Sequence, residues 1–339
     1  MDYPKVELHC HMDGAIPERL FIRYCREDNL IPEGMSDEEW MKKNIMSETM
    51  SLTECMKLFA ILTGILQNKE RLEELSYELL KDMYASGTKL AEIRFSPQSH
   101  MNENLSMEEA IEAVLRGRQK AQAECPGLVS GIIVCMMNLG LDLGTIENNT
   151  RTVELAAEYK DQGVVGIDLA GDETATPIED YAPMFALARK LGVNYTIHAG
   201  ESGSSSNVAF AIRQGGHRIG HGIHAIEDDM VVDELIAKDV LLEISLTSNY
   251  FSRCVPSIEE HPIRKLWDRG VKININTDDP ALMGITLKHE YDLLEKLYGF
   301  TEKEFILSNI YSAQKSFCEG KEKIITELME AYKNVTKMP

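Results

Sequence analysis

The sequence predicts an α/β fold, a (β/α)8 barrel, on three observations. Runs rich in Val, Ile, Leu and aromatic residues alternate with helix-period stretches eight times along the chain, the order that gives a parallel sheet closed on itself. Histidines and acids gather at the carboxyl ends of those runs, where barrels of this kind carry their active sites. The 339 residues, 44% of them hydrophobic, suffice for one large core. Residues 1–339 are therefore expected to form a single domain, with a helical insert at 15–88 and C-terminal helices at about 302–337.

The first run, Pro4 to His11, reads as a short strand in which His9 and His11 point the same way, because strand side chains alternate. Asp13 keeps that parity if the strand persists. From Ala15 to Thr88 the pattern is helical and polar, with stops at Pro32 to Gly34 and near Gly64. Leu52, Met56, Phe59 and Leu62 to Ile65 recur at helical spacing. This stripe, inserted directly after the histidine-bearing strand, is expected to form an apolar lid.

The remaining strands are expected at Leu90 to Phe95, Val129 to Met137, Val164 to Ala170, Val193 to His198, Arg218 to Gly222, Val240 to Leu246 and Val271 to Asn276. Helices are expected around Met107 to Glu124, Thr152 to Asp161, Tyr181 to Leu191, Asn207 to Gln214, Asp229 to Lys238 and Ile263 to Arg269. Residues from about Glu302 to Lys337 read as helical and should pack outside the barrel.

Charge narrows the partners. Lys and Arg number 35 against 55 Asp and Glu, a net charge of −20, which repels polyanions at long range. Nucleic acid and anionic membranes are excluded as expected partners, and a small molecule is favoured. The seven cysteines are scattered without a C-x-x-C pair, which points away from a disulfide framework or zinc ribbon and toward a reducing cytoplasm. The opening residues leave no room for a signal peptide, and no apolar run is long enough for a bilayer span.

Collected at one mouth, the strand ends carry His9 and His11, then Asp168 to Gly171, then His198 to Glu201, then His221 and Gly222, and finally Thr277, Asp278 and Asp279. His9, His11, His198 and Asp278 form a nitrogen and oxygen set suited to one Zn²⁺ per chain, with an open position for water. Such an ion makes hydroxide available near neutral pH. His221 and Asp279 are placed to orient that water and accept its proton, and Glu201, three residues beyond a ligand, is the natural general acid. Attack on an sp² carbon whose leaving group or ring nitrogen needs a proton follows; deamination and amide hydrolysis both fit. The fourth strand ends without the lysine that bridges two metals in binuclear amide hydrolases, and this favours one ion.

The motifs in their order resemble those of the adenosine and AMP deaminase family of metal-dependent barrel hydrolases. His9 to Gly14 resembles that family's His-x-His-x-Asp-Gly, and Asp168 to Glu173 its Asp-Leu-Ala-Gly-Asp-Glu. His198 to Glu201 matches His-Ala-Gly-Glu, Arg218 to Gly222 matches Arg-Ile-Gly-His-Gly, and Asn276 to Pro280 matches Asn-Thr-Asp-Asp-Pro. The resemblance covers essentially the whole chain. It implies zinc-dependent deamination of adenosine, and of 2'-deoxyadenosine, to the inosine product and ammonia, in purine salvage. It implies zinc ligation by His9, His11, His198 and Asp278, protonation of the purine at N1 by Glu201, and handling of the water by His221 with Asp279. It also implies substrate contacts from His11, Asp13 on a ribose hydroxyl, the Gly171 backbone at N3 and Asp279 at N7, beneath a lid bearing Leu52, Cys55, Met56 and Phe59. Cys55 and Met56 are smaller or softer than the bulky residues common there.

Two other readings compete. The substrate could be another 6-aminopurine such as adenine, AMP, methylthioadenosine or an aminofutalosine; Asp13 argues against a phosphate, which a carboxylate would repel. Alternatively the barrel could be an inactive binding or signalling module, but that reading expects a lost ligand or acid, and all are present.

Overall fold

Eight parallel strands alternate with helices in a computed structural model that describes residues 3–44, 49, 52–141 and 143–337, without the side chains of 52–57, 143 and 337. The strands are β1 (Lys5–His11), β2 (Thr88–Phe95), β3 (Val129–Asn138), β4 (Val164–Gly171), β5 (His198–Ala199), β6 (Arg218–His221), β7 (Leu241–Ile244) and β8 (Lys272–Ile275). They form two four-stranded sheets, β1 to β4 and β5 to β8. Parallel bridges between Ile167 and Tyr195 and between Cys10 and Asp278 join the two sheets at both seams. At the second seam His11 N donates to Asp278 O at 2.8 Å and Asp278 N donates to His9 O at 3.0 Å. The result is a TIM barrel, as the alternation of runs predicts.

The insert after β1 holds helices at Glu18–Glu27, Asp37–Asn44, Leu52–Gly64 and Lys69–Ala85. Their breaks fall where Pro32 to Gly34 and Gly64 place them. The last of the four starts at Asn68, whose side chain accepts from Arg71 N at 2.9 Å, an ordinary N-cap. Outside β2 and β3, Met107–Glu124 begins with a capping box of Ser106 and Glu109 and buries Ala110, Ile111, Val114 and Leu115.

One expectation changes in detail, and two features lie outside the sequence reading. The fifth strand, His198–Ala199, is shorter than Val193 to His198: before it the chain meets β4 through a single bridge, with Ile167 N donating to Asn194 O at 2.9 Å and Thr196 N to Ile167 O at 3.0 Å. The loop after β7, for which the sequence names no element, contains a short helix, Leu246–Phe251. The C-terminal helical region divides into Glu302–Lys315 and Glu322–Lys337. It breaks because Glu92, inside the barrel, accepts from Ser316 Oγ at 2.6 Å, Phe317 N at 2.5 Å and Cys318 N at 3.3 Å.

The layer beneath the mouth is ionic. Glu92, Arg94, Asp168, Arg218 and Glu243 are all fully buried on inward-facing strand positions. Arg94 donates to Asp168 at 2.6 Å and to Glu243 at 2.8 Å, and Arg218 Nε donates to Glu243 at 2.6 Å while its Nη1 reaches Glu92. Removing one member of such a net strands a buried charge, which costs several kcal/mol, on the order of 3–5. These charges hold the site above them.

Candidate active site

The donor atoms of His9, His11, His198 and Asp278 all lie within 4.8 Å of one another at the carboxyl ends of β1, β5 and β8. Proton positions show what they offer. Glu243 accepts from His9 Nδ1 at 2.9 Å, and Asp168 Oδ2 lies 2.9 Å from His198 Nδ1. Burial opposes ionisation of both acids. It is outweighed at Glu243 by Arg218 and Arg94, and at Asp168 by His198 and Arg94, so both stay well below the usual carboxylate range. Ionised carboxylates only accept. His9 therefore carries its proton on Nδ1 and turns a bare Nε2 lone pair to the cluster, the arrangement that metal-bound imidazoles take, and the carboxylate beside His198 Nδ1 favours the same tautomer there.

Asp278 completes the set. Its Oδ1 lies 3.2 Å from His9 Nε2 and 3.4 Å from His11 Nε2, and its Oδ2 accepts from Ser248 Oγ at 2.7 Å. His9 Nε2 is buried without a hydrogen-bond partner among the described residues. Converging lone pairs and one carboxylate oxygen fit a divalent cation and nothing apolar.

Beside this cluster stands a second group, Glu201, His221 and Asp278, whose polar atoms also fall within 4.8 Å of one another. Glu201 is buried, and burial followed by the charge of Asp278 pushes its carboxyl up to about 8. A carboxyl of that kind is protonated near neutral pH and can donate. His221 Nε2 is 3.7 Å from Glu201 and 3.8 Å from Asp278. His221 and Asp278 both adopt left-handed backbone, φ 59° and 63°, a strained state for residues with a Cβ. Asp279, next in the chain, has a buried Oδ1 without a partner among the described residues, and burial with Asp278 and Asp13 nearby pushes its carboxyl well up. Gly14 makes room for it, because a Cβ there would sit 1.9 Å from Asp279 Oδ1.

Around these groups lies a cavity of about 290 Å³, near the lower end for small-molecule sites, which start at roughly 300 Å³. His11 and Asp13 line it from the end of β1, Gly171 from β4, His198 and Glu201 from β5, and His221 from β6. Phe59, Ala60 and Thr63 face it from the insert helix Leu52–Gly64. Of the lid positions expected from the sequence, the side chains of Leu52, Cys55 and Met56 lie outside the described ones. Asp13 lies beyond the end of β1, in a turn, and its Oδ2 is 3.6 Å from the buried His100 Nε2.

Several site residues escape the sequence reading. Ser96 and Ser99 enter from β2, Cys135 and Met137 from β3, and Ser248, Phe251 and Ser252 from the short helix after β7. Serines and a lone cysteine carry no periodic signal that separates them from surface residues. Glu173 is a different case, since the run Asp168 to Glu173 includes it. Its carboxylate accepts from the backbone N–H of Gly200 at 2.6 Å, Glu201 at 3.0 Å, Ser202 at 3.1 Å and Gly203 at 2.9 Å. That clasp sets where Glu201 points.

Comparison with known proteins agrees with this geometry. The family profile described as adenosine deaminase matches residues 4–331. The chain belongs to the adenosine deaminase family. It is similar to an adenosine deaminase of Clostridium perfringens, 31% identical over 96% of this chain and 97% of the relative, and to one of Lactococcus lactis, 32% identical over 98% and 95%. Among solved structures it is similar to an adenine deaminase from Arthrobacter aurescens, with a TM-score of 0.84 and 24% identity over 98% and 99% of the two chains. It is also similar to an N6-methyl-AMP deaminase from Arabidopsis thaliana, TM-score 0.82 and 24% identity over 98% of each chain. A zinc-bound amidohydrolase from Burkholderia ambifaria gives a TM-score of 0.85 and 22% identity over 98% and 92%. At such identities these structures speak to the fold. The family makes this chain a hydrolytic deaminase. Among the described residues, no helix is long and apolar enough to cross a membrane.

Proposed function

We propose that the protein is a zinc-dependent adenosine deaminase that converts adenosine and 2'-deoxyadenosine to the inosine product and ammonia, and that it serves purine salvage. The observation that carries this reading is the buried Glu201 carboxyl, protonated and facing the cavity beside the four-donor cluster. Hydrolysis at C6 of a purine needs a proton delivered to N1 as water adds, and an acid held neutral by burial supplies it. The curated relatives, 31% and 32% identical over nearly the whole chain, are adenosine deaminases and support the same substrate.

His9, His11, His198 and Asp278 would hold the zinc, which makes hydroxide available from water near neutral pH. His221 and Asp279 orient the attacking water from the side away from the ligands. Glu201 donates to N1, and Asp279, whose carboxyl burial pushes well up, is placed to donate to N7. The Gly171 backbone takes N3, while His11 and Asp13 take the ribose side. Phe59 covers the nucleoside and limits water in the cavity. The free thiols of Cys10, Cys25, Cys125, Cys135 and Cys318 suit a reducing cytoplasm.

Among the described residues lining the cavity none is Lys or Arg, and Asp13 stands at the sugar end. A 5'-phosphate would meet a carboxylate there with no cation to balance it. Assaying adenosine, 2'-deoxyadenosine, adenine, AMP and methylthioadenosine side by side tests the reading. Adenosine should have the highest kcat/KM; a clear preference for adenine or AMP would overturn it.

A further inference from the structure

We propose that Asn249 and His261 are positioning residues of this hydrolysis, forming a relay that holds His221 in the tautomer with its proton on Nε2, aimed at the reacting centre. The inference rests on the function proposed above.

The relay starts from a group whose role is unambiguous. The backbone N–H of Ile263 lies 3.1 Å from His261 Nδ1, and an amide N–H can only donate. His261 is buried, and burial pushes its imidazole down to about 3, so the ring is neutral and its single proton sits on Nε2. That Nε2–H is 3.2 Å from Asn249 Oδ1, and this settles which end of the amide faces which way. Asn249 Nδ2 then donates to His221 Nδ1 at 2.9 Å. His221 is itself buried. An Nδ1 that accepts carries no proton, so the ring is neutral with its proton on Nε2.

His221 Nε2 has no hydrogen-bond partner among the described residues, although Glu201 and Asp278 lie within 3.8 Å. A donor is therefore presented to the cavity, where the attacking oxygen would sit. The opposite tautomer would set an N–H of His221 against an N–H of Asn249 and lose a buried bond. His221 thus acts as a donor that orients the water, and the proton-accepting role open to it from sequence alone is closed by Asn249. Asn249 is fully buried, its backbone carbonyl accepts from Cys254 N at 2.9 Å, and its side-chain amide is held at both ends, Oδ1 by His261 and Nδ2 by His221.

The test uses zinc-loaded protein labelled with ¹⁵N-histidine, with His221 assigned through His221→Gln. Its long-range ¹⁵N spectrum should show His221 protonated on Nε2. Asn249→Asp keeps the shape but offers only acceptors to His221, so the proton should move to Nδ1. In that variant kcat should fall on the order of 10²-fold, as a misplaced imidazole proton costs other hydrolases at least that much, with KM and zinc content little changed. His261→Gln keeps a donor for Asn249 and should retain both tautomer and rate. If the buried Asp prevents folding, Asn249→Ala serves, and both tautomers should appear with a lowered kcat. A parent protein with His221 protonated on Nδ1 would overturn the proposal, as would an altered tautomer with parental kcat. The spectrum needs no substrate, so an Nε2–H signal in a protein that deaminates no purine would remove the substrate reading and leave the relay's geometry standing.

Discussion

Asp168 Oδ2 lies 2.9 Å from His198 Nδ1 while the same oxygen accepts from Arg94 Nη1 at 2.6 Å. A buried arginine thereby holds the carboxylate that stands behind a proposed metal ligand. Asp168→Asn keeps an acceptor but loses its charge, so divalent-ion affinity should fall roughly 10- to 100-fold, the scale for outer-shell partners of ligating histidines. Titration against a chelator measures this. His198→Ala should lose the ion altogether; two ions per parent chain, or unchanged Asp168→Asn affinity, would contradict the assignment.

Glu201→Gln preserves size and polarity but transfers no proton. Zinc and substrate should still bind, and the rate should drop on the order of 10²-fold or more, the usual scale for a lost acid. Metal analysis and single-turnover kinetics separate the two effects. Near-parental deamination would move the acid role elsewhere.

Asp13→Ala tests the sugar side. Asp13 lines the cavity and sits beside His100, outside the four-donor cluster. The variant should keep its zinc and lose kcat/KM for adenosine by a larger factor than for adenine, which lacks a ribose. Lost zinc would instead mark Asp13 as a ligand.

Stability should depend on pH through buried acids away from the cavity mouth. Glu290 accepts from Thr247 N at 3.1 Å and also from the Thr247 hydroxyl, and burial pushes its carboxyl from 4.5 up to about 7. Between about pH 4.5 and 7 the native protein keeps a proton that the unfolded chain has released. Stability is therefore full at the acid end of that window and declines as pH rises through it. Glu290→Gln should lessen the decline by about 1–3 kcal/mol, read from urea unfolding at pH 5 and 7.5. An identical decline in parent and variant would sink this account.

Much was legible in the residues because the barrel repeats one unit. Buried parallel strands read as short apolar runs, and helices packed on one side read as stripes, so the eightfold alternation is local information. The histidines and acids were legible for a related reason, since each follows directly on a strand end. The short helix Leu246–Phe251 was not, because Ser, Thr and Asn residues in it make their bonds to distant partners such as Asp278 and His221. The break at Ser316 to Cys318 was equally hidden, since its cause is Glu92, more than two hundred residues away.

The sequence by itself determined the order of the eight strands, the residues offered at their ends, and hence the donor set and the acid. Periodicity and adjacency are properties of neighbours along a chain, and they need no knowledge of what packs against what. Only the tertiary structure decided which atoms of the histidines and Asp278 converge, that burial pushes the Glu201 carboxyl up, and that Glu173 bonds the Glu201 backbone while Asn249 and His261 link to His221. Those outcomes depend on burial and on proton donors and acceptors brought together by closing the ring. Burial sets pKa, and a histidine's tautomer is set by the partner of its far nitrogen. Neither is a property of any stretch of chain taken alone.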